Sequence, residues 1–326
     1  MDRNARFKMV ETPSRGGLNE GLSFGYVDVP KNITPAERPF LDMLTEASLN
    51  LQREIRKGHE INVKTENTVI PCAFGDIPAR VYLPEGDDPH PVILNYHGGG
   101  FAIRDIECFD FLSRYYAKNA NAMVVTIQYA LAPEKKFPVQ PEQAHTALLW
   151  ARENASRYGA DPTMDVVLGD SAGGNLSLVV SLMCRDRGEK TPALMIPAYP
   201  VVDVREDIGR ESEKLYGEHY NLDYKHMKSY NGAYQRTPED AYDPYMSPLL
   251  AEDLTGLEPC RMISAECDIL IDQGMEMIQR LKDAGNDAEY HIFKGVPHDF
   301  LFYGFPESYE AYDLTCKWIK ELVVKN

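Results

Sequence analysis

The pentapeptide Gly169-Asp170-Ser171-Ala172-Gly173 sets a serine between two glycines, after a short apolar run and before a helical one. That is the pattern of a nucleophile elbow, a sharp strand-to-helix turn that lifts the serine Oγ above a sheet. Glycine two residues to either side removes the Cβ atoms that would clash where strand and helix converge. An attacking serine also needs backbone donors for the negative charge that develops on a carbonyl oxygen. His97-Gly98-Gly99-Gly100-Phe101 follows the apolar run Pro91-Val92-Ile93-Leu94-Asn95-Tyr96 directly. Three consecutive glycines are costly there unless backbone N–H groups must approach something closely. The expected oxyanion hole is Gly98, Gly99 and Ala172. His97 reads as a residue that holds this loop rather than as a base, and Phe101 and Asp170 as the wall of a substrate pocket.

A serine nucleophile requires a base, and the base an orienting acid. After an elbow of this kind they follow in the order acid, then histidine. The apolar run at 261–266 leads into Cys267-Asp268-Ile269-Leu270, and a second at 288–293 leads towards Pro297-His298. Both candidates stand just past the C-terminal ends of strands, where open α/β sheets carry their sites. His298 is expected to take the Ser171 proton, and Asp268 to fix the imidazole tautomer. Glu266 and Asp272 are the rivals of Asp268. Asp299, beside the base, is expected to raise the His298 pKa through space.

The remaining chemistry-bearing residues point nowhere in particular. His219 and His226 read as cap residues, and there is no HExxH motif, so no metal is implied. None of the six cysteines, Cys72, Cys108, Cys184, Cys260, Cys267 and Cys316, forms a CxxC pair, and they read as reduced apolar side chains. A net charge of −16 excludes a nucleic-acid binder and argues against docking on an anionic membrane surface. Hydrophobic residues at 44% and charged residues at 26% exclude wholesale disorder. The first ten residues carry three basic side chains without an apolar run behind them. The longest apolar stretch, 176–184, is too short to span a bilayer. The expected location is cytoplasmic.

The elements that must position these residues alternate. Strands are expected at 63–70, 77–83, 91–96, 123–128, 165–169, 193–199, 261–266 and 288–293. Helices are expected at 109–119, 141–158, 172–187, 271–284 and 307–324. Short buried strands alternating with helices predict an α/β fold, a mostly parallel sheet covered on both faces. Before them, Gly16, Gly17, Gly21 and Gly25 mark an irregular start. Phe40, Leu41, Leu44, Ala47, Leu51 and Ile55 then recur at helical spacing, from Pro35 after a Thr34 cap to Gly58. Residues 203–247 interrupt the alternation and hold seven tyrosines, Tyr216, Tyr220, Tyr224, Tyr230, Tyr234, Tyr242 and Tyr245. They read as helix faces packed on the core and as a cap over a pocket; the two are compatible.

With HGGGF at 97–101, Tyr129 with Leu131-Ala132-Pro133-Glu134 and Phe137-Pro138, GDSAGGN at 169–175, Ser247-Pro248-Leu249, and the Asp268 and His298 segments, the chain resembles the hormone-sensitive-lipase-like esterases of the α/β-hydrolase superfamily. The resemblance runs from about residue 62 to the C-terminus. It implies an eight-stranded α/β-hydrolase sheet with a helical cap: residues 1–60 as the N-terminal part of the cap, 61–202 and 248–326 as the core, and 203–247 as the cap insertion. It implies a serine carboxylesterase for short- to medium-chain esters, acting through an acyl-Ser171 intermediate without a cofactor. The expected partner is a small-molecule ester, and the analogy extends to a homodimer. Deacetylation of acetylated sugars or small metabolites by the same triad is the nearest alternative. A non-catalytic small-molecule receptor on the same fold is the alternative of another class, disfavoured because Ser171, Asp268 and His298 are all present. A peptidase would need a gating domain, and an interfacial lipase a long exposed apolar lid. The family often has Arg at the position of Ala130, Asp at that of Gln143, and Gly at that of Asp299. Asp-Pro-Leu-Arg-Asp-Glu-Gly is common where this chain reads Asp268-Ile269-Leu270-Ile271-Asp272-Gln273-Gly274.

Overall fold

A computed structural model describes residues 29–325 except 87, 88, 207, 219 and 258. The irregular start expected before residue 29, and His219, lie outside the described residues. Among the described residues eight strands form one sheet: β1 (Lys64–Ile70), β2 (Ile77–Leu83), β3 (His90–Tyr96), β4 (Met123–Ile127), β5 (Ala160–Asp170), β6 (Leu194–Ala198), β7 (Cys260–Cys267) and β8 (Ala288–Pro297). Their spatial order is β1-β2-β4-β3-β5-β6-β7-β8. Strand β2 runs antiparallel to both of its neighbours, β1 and β4; from β4 to β8 all pairs are parallel. Strands β3, β4 and β6 are buried along their whole length, as parallel strands covered on both faces must be.

The period of two divides the strand residues between two cores. Val92, Leu94 and Tyr96 of β3 join one with Ala144, Leu148, Leu176, Val180, Met277 and Leu281. These come from helices α3 (Val139–Asn154), α4 (Ala172–Asp186) and α7 (Ile271–Asp283). Ile93 joins the other with Leu112, Tyr116, Tyr312 and Ile319, from α2 (Asp110–Asn119) and α9 (Pro306–Lys325). Alternate side chains of one strand thus find a hydrophobic partner on each side of the sheet.

Two further stretches of helix lie outside these layers. Helix α1 (Arg38–Ile55) follows a 3₁₀ turn at Pro35–Glu37, and Thr34 with Glu37 forms a capping box there. Helices α5 (Glu211–Tyr216) and α6 (Tyr224–Tyr234) come from the tyrosine-rich insertion. The short helix α8 (Phe300–Tyr303) was not expected from the sequence. No described helix is long and apolar enough to cross a membrane, and all six cysteines are free thiols.

Candidate active site

Four strands end at one place. His97 follows β3, Ser171 follows β5, Asp268 follows β7 and His298 follows β8, all at C-terminal strand ends. Ser171 is held at φ 52°, ψ −114°, outside the comfortable regions for a residue with a Cβ, and its N–H is tied to the Ala198 carbonyl at 2.9 Å. Strand β5 and helix α4 converge on that turn so closely that a Cβ on Gly169 or Gly173 would run into the Tyr96 carbonyl. The glycines of the elbow are required by the neighbouring strand as well as by the turn itself.

His298 Nε2 lies 3.0 Å from Ser171 Oγ, and His298 Nδ1 lies 2.7 Å from Asp268 Oδ2. All three side chains are buried. Asp268 Oδ1 accepts the Leu270 N–H at 2.9 Å, so both carboxylate oxygens have defined partners. The rivals are engaged elsewhere: Glu266 accepts the Gly295 N–H and Asp272 accepts the Ser212 N–H. Burial works against an imidazolium at His298. The Asp268 carboxylate, with Asp299 and Asp170 behind it, more than offsets that and holds the group above the ordinary histidine value.

The glycine loop departs from expectation by one residue. The Gly98 N–H donates to Asp170 Oδ1 at 2.8 Å and is not free for an oxyanion. The N–H groups of Gly99, Gly100 and Ala172 have no acceptor among the described residues. Ala172 is also the first residue of α4, whose N-terminus favours negative charge. Gly99 sits at φ 121°, and its carbonyl accepts from Ala102 and Ile103. This tight turn is open only to glycine, since a Cβ there would strike the Ile103 carbonyl.

His97 holds the loop, as expected. Its Nδ1 meets the Gly98 carbonyl at 2.8 Å, its ring stacks on Tyr129 at 4.2 Å, and the Tyr129 hydroxyl donates to the His97 carbonyl at 2.7 Å. Burial drives its pKa down to about 4, which keeps it neutral. Phe101 and Asp170 do not form an open pocket wall, being 1% and 4% exposed. Phe101 stacks face to face on Tyr234 at 3.8 Å, and Asp170 is engaged with Gly98. Where Ala130 and Gln143 depart from the family pattern, Gln143 Oε1 accepts the Ala130 N–H at 2.7 Å and its Nε2 donates to Gly75.

Most of the inserted tyrosines pack. Tyr216 and Tyr234 are buried, while Tyr242 is 66% exposed. Tyr230 is different, because its ring covers Gly100, where a Cβ would meet it at 2.5 Å. Asn221 donates to the His298 carbonyl at 3.2 Å, and Arg38 of α1 donates to the Ala102 and Ala132 carbonyls. Helix α1 and the stretch 203–247 therefore both touch loops that carry His298 or follow the three glycines.

Two residues beside these groups escaped the sequence reading: Gly100, whose N–H is left without an acceptor among the described residues, and Arg104. Arg104 donates through Nη2 to Asp299 Oδ2 at 2.7 Å. An arginine just past the glycine loop and an acid just past the histidine were the available signals. Away from the site, His145, Cys184 and Glu189 bring three ligand-type atoms within 4.8 Å. His145 Nε2 meets Glu189 at 2.6 Å and its Nδ1 accepts from Arg187 at 3.2 Å, so a guanidinium already faces the ring. Burial pushes the Cys184 thiol up to about 12, away from the thiolate a metal would need. This group reads as an ion-pair network.

The sequence model of a family described as alpha/beta hydrolase fold matches residues 93–302. A carboxylic ester hydrolase of Mycobacterium tuberculosis is 37% identical over 254 residues, covering 76% of this chain and 67% of its own length. An ethyl acetate hydrolase of Pseudomonas putida is 34% identical, covering 70% of this chain and 72% of its own. Among solved structures, an esterase of Pyrobaculum calidifontis is 33% identical with a TM-score of 0.83, over 90% of this chain and 99% of that one. A thermostable carboxylesterase cloned from a metagenomic library is 35% identical with a TM-score of 0.83, over 89% and 99%.

Proposed function

This chain belongs to the hormone-sensitive-lipase-like esterases of the α/β-hydrolase family, and on that premise we propose that it is a carboxylic ester hydrolase that works through Ser171, His298 and Asp268. The observation that carries the assignment of roles is the unbroken contact chain from Ser171 Oγ through both nitrogens of His298 to Asp268, at 3.0 and 2.7 Å. Neutral His298 takes the Ser171 proton as Oγ attacks the ester carbonyl. The oxygen that becomes negative is received by the N–H groups of Gly99, Gly100 and Ala172, each donor of this kind being worth about 10²–10³ in rate. Asp268 keeps the remaining imidazole proton on Nδ1 and stabilises the imidazolium. His298 then protonates the leaving alcohol, and in the second half-reaction it activates the water that releases the acid. The chain's own residues supply every proton transfer.

Short- to medium-chain acyl groups are the proposed substrates. Tyr230 over Gly100 and the Phe101–Tyr234 stack leave the donor loop closely covered, which supports small acyl groups over long ones. The test is turnover of p-nitrophenyl esters of increasing acyl length by the wild type and by Ser171→Ala. Wild-type turnover that declines at long acyl chains and disappears in the variant is expected. Near-wild-type rates in Ser171→Ala would end the assignment.

A further inference from the structure

Arg104 has no part in the chemistry described above, yet it is buried among all of it. It lies four residues beyond Gly100 on the donor loop, its side chain is 7% exposed, and its N–H donates to Thr45 Oγ1 of α1 at 2.9 Å. Its Nη2 donates to Asp299 Oδ2 at 2.7 Å, and its Nη1 stands 3.9 Å from Asp170 Oδ2. The guanidinium carbon lies 4.0 Å from the centre of the Phe302 ring. Asp170 is the residue before Ser171, and Asp299 is the residue after His298. One cation, borne on the donor loop, thus faces the carboxylates that adjoin the nucleophile and the base.

The backbone marks the same pair. Arg104 and Asp299 both adopt left-handed conformations, at φ 73° and 65°. Non-glycine residues persist there when the surrounding structure over-determines them, and such strain concentrates at working sites. The other oxygen of Asp299, Oδ1, stands 3.9 Å from His298 Nε2, the atom that handles the proton. Arg104 offsets the cost of burying Asp299 and holds that carboxyl below its ordinary range, so it stays charged.

We propose that Arg104 is a positioning residue whose guanidinium ties together the loops carrying Ser171, the oxyanion donors and His298, and holds the Asp299 carboxylate where its charge acts on His298 Nε2. The proposal rests on the esterase reading. The groups facing His298 are Asp268 beyond β7, Ser171 and Asp170 at the elbow, Asp299 on its own loop, Asn221 of the insertion and the Tyr199 ring beyond β6, at 4.9 Å, with Arg104 against Asp299 and Asp170. Of the carboxylates near Nε2, Asp299 is the one that Arg104 holds directly.

The test is the pH profile of kcat/KM for a short p-nitrophenyl ester in Asp299→Asn and Asp299→Gly, with kcat and KM measured separately in Arg104→Met. Removing an anion beside the base should move the acidic limb down by about one pH unit in both Asp299 variants, the glycine variant also relieving the left-handed strain. Arg104→Met should lower kcat at least about tenfold while KM changes less than about twofold, because loops out of register fail the transition state more than the ground state. A limb that stays in place in both Asp299 variants, or wild-type kcat in Arg104→Met, would overturn the proposal. If Arg104→Met does not fold, Arg104→Gln, which keeps a hydrogen-bond donor but loses the charge, takes its place under the same kcat and KM criteria. Wild-type protein without turnover would overturn the esterase reading, and this proposal with it.

Discussion

Replacing Asp268 by asparagine isolates the orienting role of the acid from its bulk. The side chain is 1% exposed, Oδ1 accepts the Leu270 N–H at 2.9 Å, and Oδ2 meets His298 Nδ1 at 2.7 Å. Asparagine fits the same space but offers one acceptor where aspartate offers two. The Leu270 N–H is fixed in the backbone, so the amide oxygen must take the Oδ1 position. The amide NH₂ then takes the Oδ2 position and points a hydrogen at Nδ1. The imidazole responds by carrying its proton on Nε2, which faces Ser171 Oγ as a donor and can no longer accept its proton. Turning the amide over instead sets its NH₂ against the Leu270 N–H. For a serine triad the wrong tautomer costs on the order of 10⁴ in kcat, or about 5.5 kcal/mol of transition-state stabilisation. Initial rates with p-nitrophenyl butyrate at pH 8, beside a thermal melt to establish that the fold is kept, measure this. A loss smaller than about tenfold in a folded variant would refute the tautomer argument and the role of Asp268 with it.

Two further outcomes follow from the same geometry. Because the carboxylates around His298 hold it above the ordinary histidine value, kcat/KM should fall as pH drops through a limb above about 6.5, where the imidazole gains the proton that disables it as a base; a limb below 6 in the wild type would contradict the site's electrostatics. Gly173→Ala puts a Cβ onto the Tyr96 carbonyl, with the His97 carbonyl 2.9 Å away, and neither backbone group can turn aside. It should cost about 3 kcal/mol by chemical denaturation, at the upper end of overpacking changes, and a loss under about 1 kcal/mol would mean that the elbow opens readily to admit a Cβ.

The sheet was legible because its strands carry their own signature. Runs such as Val92-Ile93-Leu94 alternate between two buried faces, and each is bounded by glycine, proline or a helical run. That Ser171, His298 and Asp268 would meet was legible for a related reason: the three candidates follow in chain order at strand ends, and strand ends can be read from hydrophobic pattern. What could not be read is whatever depends on a contact across the chain. The Gly98 N–H is taken by Asp170, 72 residues away, and no local spacing reveals that, nor that the loop N–H groups left without an acceptor among the described residues are those of Gly99 and Gly100. Helix α8 is four residues long and begins after a left-handed Asp299, too short for a period to show. Arg104 looks like any loop arginine until the fold brings Asp299 and Asp170 to it. The inserted tyrosines divide by three-dimensional neighbours rather than by spacing: Tyr230 covers Gly100, whereas Tyr234, four residues on, stacks on Phe101.

Everything proposed for the chemistry depends on Ser171 forming the covalent intermediate. Rapid mixing of the protein with p-nitrophenyl acetate, followed by acid quench, intact mass measurement and peptide mapping, tests it most directly. A transient acetyl adduct is expected, confined to the peptide containing Ser171, formed with release of an equivalent amount of nitrophenol and absent from Ser171→Ala. Turnover that proceeds with no adduct on Ser171, or with the adduct on another residue, would contradict it.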